Sequence, residues 1–159
     1  MTIETNGSRT SIRTAFGTFG LRAAGGRITA LTFSPPETGR ILPEDAEVLN
    51  EAERQLSAYF LGKRKIFTLP LSLPDKGFYS RVWGLLAEIP YGETRSYSEL
   101  AAAAGSPKAV RAAGMACHTN PIPIFIPCHR VLGKNGSLTG YAGGIELKRA
   151  LLQLEGVEV

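Results

Sequence analysis

Residues 120–131 read Asn120-Pro121-Ile122-Pro123-Ile124-Phe125-Ile126-Pro127-Cys128-His129-Arg130-Val131. An apolar run interrupted by prolines is typical of a buried extended segment whose end is held in a fixed place. That end carries Cys128 beside His129. A thiol becomes a strong nucleophile only as the thiolate, and histidine is the usual group that takes its proton. A buried, inert cysteine is the alternative, but the flanking Pro127 and Arg130 and the glycine-rich stretch that follows favour a reactive thiol.

The composition limits the class of protein. The chain has 159 residues, of which 43% are hydrophobic and 20% charged, as in an ordinary globular protein of one domain or two small ones. No window approaches the roughly 18 consecutive apolar residues of a membrane span. Residues 1–13 lack the apolar region of a secretory signal. The two cysteines are each followed by histidine, which indicates reduced thiols. We therefore expect a cytoplasmic protein without a membrane partner.

The positive charge is concentrated around the candidate thiol. Lysine and arginine number 18 against 14 aspartate and glutamate, a formal net charge of +4. Between Lys76 and Lys134 the chain has seven basic residues and three acidic ones. This local excess favours a polyanionic partner, although modest basic patches are also common on solvated surfaces.

The chain reads as two domains of an α/β (α+β) protein. Residues 1–73 are predicted to form a small N-terminal α/β support domain with a short antiparallel sheet. Its expected elements are three strands, a loop, one helix and a final extended piece: Thr10–Phe16, Phe19–Ala23, Arg27–Phe33, Pro35-Pro36, Glu44–Leu61 and Ile66–Leu73. The residues from Leu73 to Gly77 read as a linker.

Residues 78–159 are predicted to form a mainly helical C-terminal domain. Four helices are expected. The first is Phe78–Ile89 and the last is Ile145–Glu155. Between them, one helix starts at a capping box on Ser96, and another begins at Ser106-Pro107 and reaches about His118. The second and third of these helices are joined by a tight Gly-Ser turn. Two short helices joined in this way describe a helix-turn-helix.

Four further residues of this domain attract attention by their position. Lys108 and Arg111 stand three apart on the predicted second helix of the motif, hence on one face, where Arg111 is either a DNA contact or a solvated arginine. Cys117 lies on the packed stripe and is a core thiol or the wall of a pocket. Glu155 ends an apolar helix face, where a carboxylate is costly unless it is paired. His129 is the candidate partner, and a solvated glutamate is the alternative.

The C-terminal half resembles a known family. The motif at 127–131, together with Asn120-Pro121 before it and Gly140-Tyr141-Ala142-Gly143-Gly144 after it, is similar to the active-site signature of the O6-alkylguanine-DNA alkyltransferases. These are also called methylated-DNA–protein-cysteine methyltransferases. The resemblance runs from about Phe78 to Gly156 and includes Val82-Trp83, Ile89-Pro90-Tyr91-Gly92 and Ser106-Pro107-Lys108-Ala109-Val110-Arg111-Ala112. The N-terminal half matches only in layout and length.

The resemblance implies direct DNA repair, in which Cys128 irreversibly accepts the alkyl group of O6-alkylguanine, and of O4-alkylthymine, once per molecule. His129 would deprotonate the thiol through a water, and Glu155 would orient His129, so that the pKa of Cys128 is lowered. Tyr97 would protonate the leaving guanine, and Asn120 would brace the active-site turn.

The same resemblance implies how DNA is held. Arg111 would enter the base stack of double-stranded DNA from the minor groove while the damaged nucleotide is flipped out. Lys108, Ala112 and Arg130 would join it in contacting DNA. The flipped base would meet a pocket formed by Val131, Tyr141, Ala142 and Cys117. The protein is expected to act as a monomer without a cofactor, and the zinc ligands that some members carry in the N-terminal domain are absent from this sequence.

Three other interpretations compete with this one. A thiol hydrolase or acyltransferase would use the same cysteine and histidine but would leave the basic helix-turn-helix unexplained. A zinc module would use Cys117, His118, Cys128 and His129, although adjacent Cys-His pairs cannot easily turn both side chains to one metal. The third is a DNA-binding regulator without chemistry.

Overall fold

The computed structural model describes residues 7–34 and 39–159. The chain divides into two compact units, one that ends at Leu73 and one from Pro74 to Val159. The loop predicted at Pro35-Pro36 lies outside the described residues. So do residues 1–6, which belong to the segment 1–13 in which no secretory signal was expected. Over the two described ranges, no helix has both the length and the apolar character that a membrane crossing requires.

The first unit contains a three-stranded antiparallel sheet in the order β1-β2-β3, formed by Ser8–Thr14, Gly17–Ala24 and Arg27–Thr32. The three predicted strands are confirmed, with ends displaced by one or two residues. Gly25 and Gly26 connect β2 to β3 with φ angles of 59° and 74°. Two successive residues with positive φ are the mark of a tight hairpin turn, and glycine adopts that conformation without strain.

Helix α1, Pro43–Phe60, covers one face of this sheet. The ring of Phe60 stacks on Phe19 of β2 with centroids 5.5 Å apart. Asp45 in the first turn of α1 is fully buried and accepts hydrogen bonds from Ser8 Oγ at 2.6 Å and from Gly26 N at 2.8 Å. These bonds tie the start of the helix to the sheet, because a buried carboxylate is tolerated only when its oxygens are satisfied.

The second unit holds four helices and one short parallel strand pair. The helices are α2 Phe78–Ala87, α3 Tyr97–Ala103, α4 Val110–His118 and α5 Ile145–Leu154, and the strands are β4 Arg95–Ser96 and β5 Val131–Leu132. The predicted capping box is confirmed, since Ser96 and Glu99 exchange both of its hydrogen bonds. The α/β (α+β) class with a small antiparallel sheet and a mainly helical second half is therefore confirmed.

Helix α4 starts later than predicted. The bond from Ala109 N to Ser106 O closes a separate turn, and Ala109 has a non-helical ψ of 41°. Lys108 therefore lies in this turn, one residue before the N-cap of α4, and does not share a helix face with Arg111. Trp83 of α2 is buried and donates its indole N–H to Ala116 O of α4 at 2.8 Å, which fixes the helix against its neighbour.

Candidate active site

The segment that leads to Cys128 is held by Asn120. Asn120 Nδ2 donates to Ile126 O at 2.8 Å, and Asn120 Oδ1 accepts from Ile122 N at 3.0 Å. Between these anchors Ile124 has a φ of 74°, which is strained for a β-branched residue. Because such strain persists only where the surroundings enforce it, the amide of Asn120 and the buried packing of the turn set the direction in which the chain enters the site.

Cys128 opens a 3-10 turn, Cys128–Arg130, and is 3% exposed. Burial raises the pKa of the Cys128 thiol to about 11, while a hydrogen bond from Asn120 and the positive charge of Lys148 act in the opposite direction. The expectation that His129 and Glu155 lower this pKa is therefore wrong for the resting site. The thiol is neutral at pH 7, and the thiolate has to form when the reaction begins.

His129 and Glu155 meet across 26 residues of sequence. His129 Nε2 lies 2.8 Å from Glu155 Oε2, and both side chains are fully buried. An ionised carboxylate only accepts hydrogen bonds, so Nε2 carries the proton and Nδ1 is the basic nitrogen. Burial lowers the pKa of His129 even though Glu155 acts to raise it. A neutral imidazole is the form that can take a proton from a thiol.

Arg130 is the second partner of Glu155. Its Nε donates to Glu155 Oε1 at 2.8 Å and its Nη2 to Glu155 Oε2 at 2.9 Å, a bidentate ion pair. Gly92 N gives Glu155 Oε1 another hydrogen bond at 3.0 Å. Arg130 neutralises the negative charge of Glu155, which would otherwise favour the protonated form of His129. The network thus orients the imidazole and holds its proton on Nε2, which leaves Nδ1 unprotonated.

The predicted DNA contact of Arg130 is wrong. Its side chain is 7% exposed and its remaining donor group, Nη1, is bonded to Ile89 O at 2.6 Å. These bonds use three of the five guanidinium N–H groups, and the side chain is too deeply buried to present the other two to a phosphate without breaking the pair with Glu155. Arg130 is a positioning residue of the site.

Lys148 is a site residue that the sequence analysis missed. It is fully buried on α5, and its Nζ donates to Thr139 O at 3.2 Å and lies 5.8 Å from the ring centroid of Tyr97. Burial lowers the pKa of Lys148, while the two cysteines, Cys128 and Cys117, act to raise it. The sequence did contain a sign of this role. Lys148 precedes Leu151 by three residues and Leu152 by four, so it lies on the same apolar helix face, and a lysine is rarely buried there unless it has a partner.

Tyr97, at the start of α3, accepts a hydrogen bond from Thr139 Oγ1 at 3.2 Å. Burial is the main cause that raises the pKa of Tyr97, and the electrostatic influence of the two cysteines adds to it. The phenol therefore keeps its proton at neutral pH. A protonated hydroxyl can act as a hydrogen-bond donor, and the role of Tyr97 as the proton donor to guanine stays a prediction.

We expect Lys148→Met to slow alkyl transfer roughly tenfold, because losing one nearby positive charge disfavours the Cys128 thiolate by about one pKa unit. The measurement is the rate at which Cys128 is benzylated by free O6-benzylguanine. Lys148→Arg, which keeps the charge, should recover part of the rate, and Arg149→Met is the matched control on the same helix. Equal rates for Lys148→Met and the control would contradict an electrostatic role.

The outer surface of the helix-turn-helix carries the predicted DNA contacts. Lys108 and Arg111 are exposed and Ala112 is half-buried. Met115, one turn after Arg111, is 50% exposed, and the sequence analysis did not single it out. A large apolar side chain four residues from Arg111 shares its face of the helix. The exposed surface of α4 therefore combines the positive charge of Arg111 with the apolar side chain of Met115.

The residues predicted to form the base pocket differ in burial. Val131 and Cys117 are buried, Tyr141 is half-buried and Ala142 is exposed. Burial raises the pKa of Cys117 to about 12, so it is the more inert of the two thiols. A cavity of about 520 Å³ lies beside the site and is lined by Tyr97, Val110, Leu132, Gly133, Lys134 and Asn135, among others. Cys128 is not among the residues that line this cavity.

The zinc-module interpretation finds no support. Across residues 7–34 and 39–159, no three or more His, Cys, Asp or Glu side chains are grouped so that they could hold a metal ion. His118 is exposed, whereas His129 is buried against Glu155. The two Cys-His pairs therefore do not converge on one centre.

Two family models match the chain. The one described as 6-O-methylguanine DNA methyltransferase, DNA binding domain, matches residues 77–157. The one described as 6-O-methylguanine DNA methyltransferase, ribonuclease-like domain, matches residues 8–73. Together they account for both structural units.

Individual proteins agree with these models. The constitutive methylated-DNA–protein-cysteine methyltransferase of Bacillus subtilis is 58% identical over 108 residues, 67% of this chain and 66% of that protein. The methylated-DNA–protein-cysteine methyltransferase of Methanosarcina acetivorans is 54% identical over 113 residues, 71% of this chain and 72% of that protein. The crystal structure of Mycobacterium tuberculosis OGT in complex with DNA superposes with a TM-score of 0.83 at 44% identity, covering 94% of this chain and 93% of that one.

Proposed function

Because this chain belongs to the family of 6-O-methylguanine DNA methyltransferases, we propose that it repairs DNA directly by moving the alkyl group of O6-alkylguanine to Cys128. The resemblance drawn from the motif at 127–131 is confirmed by this membership. The activity is that of a methylated-DNA–protein-cysteine S-methyltransferase, and its partner is DNA.

One observation carries the proposal for the site: Cys128 directly precedes a neutral, buried His129 that Glu155 holds at 2.8 Å. The same unit exposes Arg111 and Lys108. A nucleophile beside its base, together with a cationic surface, fits alkyl transfer from DNA better than it fits a hydrolase, which has no use for that surface. A regulator without chemistry has no use for the buried base.

The transfer balances without a cofactor. His129 takes the thiol proton, directly or through a water, and the Cys128 sulfur attacks the sp³ carbon attached to O6 of guanine. The carbon–oxygen bond breaks, a thioether forms, and the electron pair leaves on guanine. Tyr97 protonates this guanine and regains a proton from His129, so the net transfer is one proton from the thiol to guanine. Lys148 stabilises the thiolate while it exists.

The DNA has to present its base outside the helix, because O6 within a duplex is out of reach of a thiol that is 3% exposed. Arg111 on α4 enters double-stranded DNA from the minor groove and fills the space that the flipped nucleotide leaves in the base stack. Lys108, in the turn before α4, contacts a phosphate. The flipped base enters between Tyr141 and Val131. This form of binding reads little sequence, which suits an enzyme that acts on damage in any context.

The reaction stops after one event per molecule. A thiolate bound to an sp³ carbon is a poor leaving group, and the buried Cys117 is the less acidic thiol, so neither water nor a second thiol restores Cys128. The protein is thus self-inactivating. We also propose that it acts as a monomer and that it accepts O4-alkylthymine. Two free cysteines suit the reducing cytoplasm.

The mass of the protein after mixing with excess O6-methylguanine duplex tests this function. We expect a gain of one methyl group per chain, a plateau that chelators do not change, and peptide mapping that places the methyl on Cys128. Continued release of repaired DNA beyond that plateau would show a true catalyst. An unchanged mass with DNA bound would favour the regulator.

We expect Arg111→Ala to reduce repair of O6-methylguanine in duplex DNA by about tenfold or more while leaving the reaction with free O6-benzylguanine close to wild type. The Arg111 side chain is exposed on α4 whereas the Cys128 thiol is buried, so we expect its loss to affect the flipped state of the nucleotide and not the chemistry. Single-turnover rates on both substrates measure this, with Arg149→Ala as control. An equal loss on both substrates would contradict a role in flipping.

A further inference from the structure

Thr139 connects two groups of the site that are far apart in sequence. Its Oγ1 donates a hydrogen bond to the Tyr97 hydroxyl at 3.2 Å, and its backbone carbonyl accepts one from Lys148 Nζ, also at 3.2 Å. Tyr97 begins α3 and Lys148 lies on α5, whereas Thr139 belongs to the loop between β5 and α5. This loop residue therefore contacts both the proposed proton donor and the buried ammonium group.

The loop holds the Thr139 side chain in a defined direction. Gly133 N donates to Ser137 O at 2.9 Å and Ser137 Oγ to Lys134 O at 2.9 Å, which closes the turn just before Thr139. A Cβ added to Gly133 would lie 2.8 Å from Thr139 Cγ2, so the threonine methyl group packs closely on this glycine. A β-branched side chain has few allowed rotamers. With its methyl group against Gly133, the Thr139 hydroxyl stays directed at Tyr97.

The direction of this hydrogen bond matters for the chemistry. A hydroxyl oxygen can accept one hydrogen bond while its own proton is donated elsewhere. Because Thr139 donates and the phenol oxygen of Tyr97 accepts, the Tyr97 proton is not used within the pair and is available to a third group. Burial raises the pKa of Tyr97, and the hydrogen bond from Thr139 acts to lower it. Thr139 thus favours loss of the phenol proton relative to the same phenol without this donor.

We propose that Thr139 is a positioning residue for alkyl transfer, whose hydroxyl directs the Tyr97 proton towards the leaving guanine and stabilises the negative charge that remains on Tyr97. The inference rests on the proposed function in taking Tyr97 as the proton donor. Guanine gains the proton, and the bond from Thr139 then runs to an ionised oxygen, which strengthens it. Tyr97 regains its proton from His129, and Thr139 keeps its own throughout.

Substrate binding should strengthen this effect. Thr139 is exposed and Tyr97 is half-buried in the free protein, so water competes for the bond between them. A base bound beside Tyr97 excludes that water, and a hydrogen bond is stronger in a site of low dielectric constant. The contribution of Thr139 is therefore expected in the reaction with O6-alkylguanine, and not in an alkylation whose leaving group needs no proton.

The test removes the Thr139 hydroxyl and keeps the shape of the side chain. Thr139→Val retains the methyl group against Gly133 and the backbone carbonyl that accepts from Lys148. It should slow benzylation of Cys128 by free O6-benzylguanine roughly tenfold, the size of effect expected when a hydrogen bond to a charged group is lost. Thr139→Ser, which restores the hydroxyl, should recover most of the rate. Ser137→Ala removes another hydroxyl bond of the same loop and is the matched control, with a rate close to wild type.

Two further measurements separate this role from a purely structural one. Iodomethane methylates a thiolate with iodide as the leaving group, and iodide needs no proton. The rate at which iodomethane modifies Cys128, followed by peptide mapping, should therefore be unchanged in Thr139→Val. In a Tyr97→Phe background, which has no phenol for Thr139 to assist, Thr139→Val should cause no additional loss with O6-benzylguanine.

The possible outcomes are distinct. A wild-type rate of Thr139→Val with O6-benzylguanine, an equal loss with iodomethane or an equal loss in Ser137→Ala would overturn the inference. An undiminished effect of Thr139→Val in the Tyr97→Phe protein would do the same. A wild-type rate in Tyr97→Phe itself would overturn both the inference and the role of Tyr97 as proton donor, but would leave transfer to Cys128 standing. A wild-type chain that iodomethane modifies but that takes no alkyl group from O6-alkylguanine would contradict the proposed function, and the inference with it.

Discussion

Cys128→Ser should abolish alkyl transfer completely and leave DNA binding intact. A serine hydroxyl is far less acidic than a thiol, and its oxygen is a weaker nucleophile toward an sp³ carbon, so His129 cannot activate it to a useful degree. The change removes no charge from the exposed surface around Arg111. Incubation with O6-methylguanine duplex should therefore give an unchanged mass, while the affinity for the same duplex stays within a few fold of wild type.

The matched control is Cys117→Ser, which changes the other buried thiol. It should retain the gain of one methyl group, at a rate that reflects only small packing effects. A methylated Cys117 in the Cys128→Ser protein would show that the site offers two acceptors. Methylation of Cys117 in the wild-type chain would overturn the assignment of Cys128.

Glu155→Ala should slow transfer by about 100-fold or more and also destabilise the protein. The carboxylate accepts bonds from His129, Arg130 and Gly92 N. Its loss frees the imidazole to rotate and leaves the guanidinium of Arg130 buried without a counter-charge. Removing one partner of a buried ion pair costs about 3–5 kcal/mol. Both effects are measurable, as a single-turnover rate at low temperature and as the free energy of unfolding in urea.

Two variants separate catalysis from stability. His129→Ala should reduce the rate by about 100-fold or more through loss of the base, with a smaller loss of stability, since Glu155 keeps its pair with Arg130. Glu146→Ala, at the exposed start of the same helix, should leave both quantities near wild type. If His129→Ala transferred methyl groups at the wild-type rate, the thiol would be activated by another group, and Lys148 would be the first to examine.

Much of the fold followed from local patterns. The glycine-bounded strands of the first unit, the capping box at Ser96 and the apolar periodicity of α1, α2 and α5 are set by residues close in sequence. The observed ends of these strands and helices differ from the predicted ones by no more than two residues. The start of α4 was misplaced because a proline at a first helical position and a proline in a preceding turn look alike in sequence. Only the bond from Ala109 N to Ser106 O distinguishes them.

The sequence by itself determined which chemical groups the site contains. Cys128 and His129 are neighbours in the covalent chain, and a glutamate on an apolar helix face is costly unless it is paired. Tertiary structure decided which groups surround them. Arg130 turns inward to Glu155, 25 residues away, and Lys148 is buried near both thiols. Local spacing fixes the face on which a side chain lies, but its environment depends on which distant element packs there. The pKa of Cys128 follows that environment, because burial outweighs a neighbouring histidine whose own charge is suppressed.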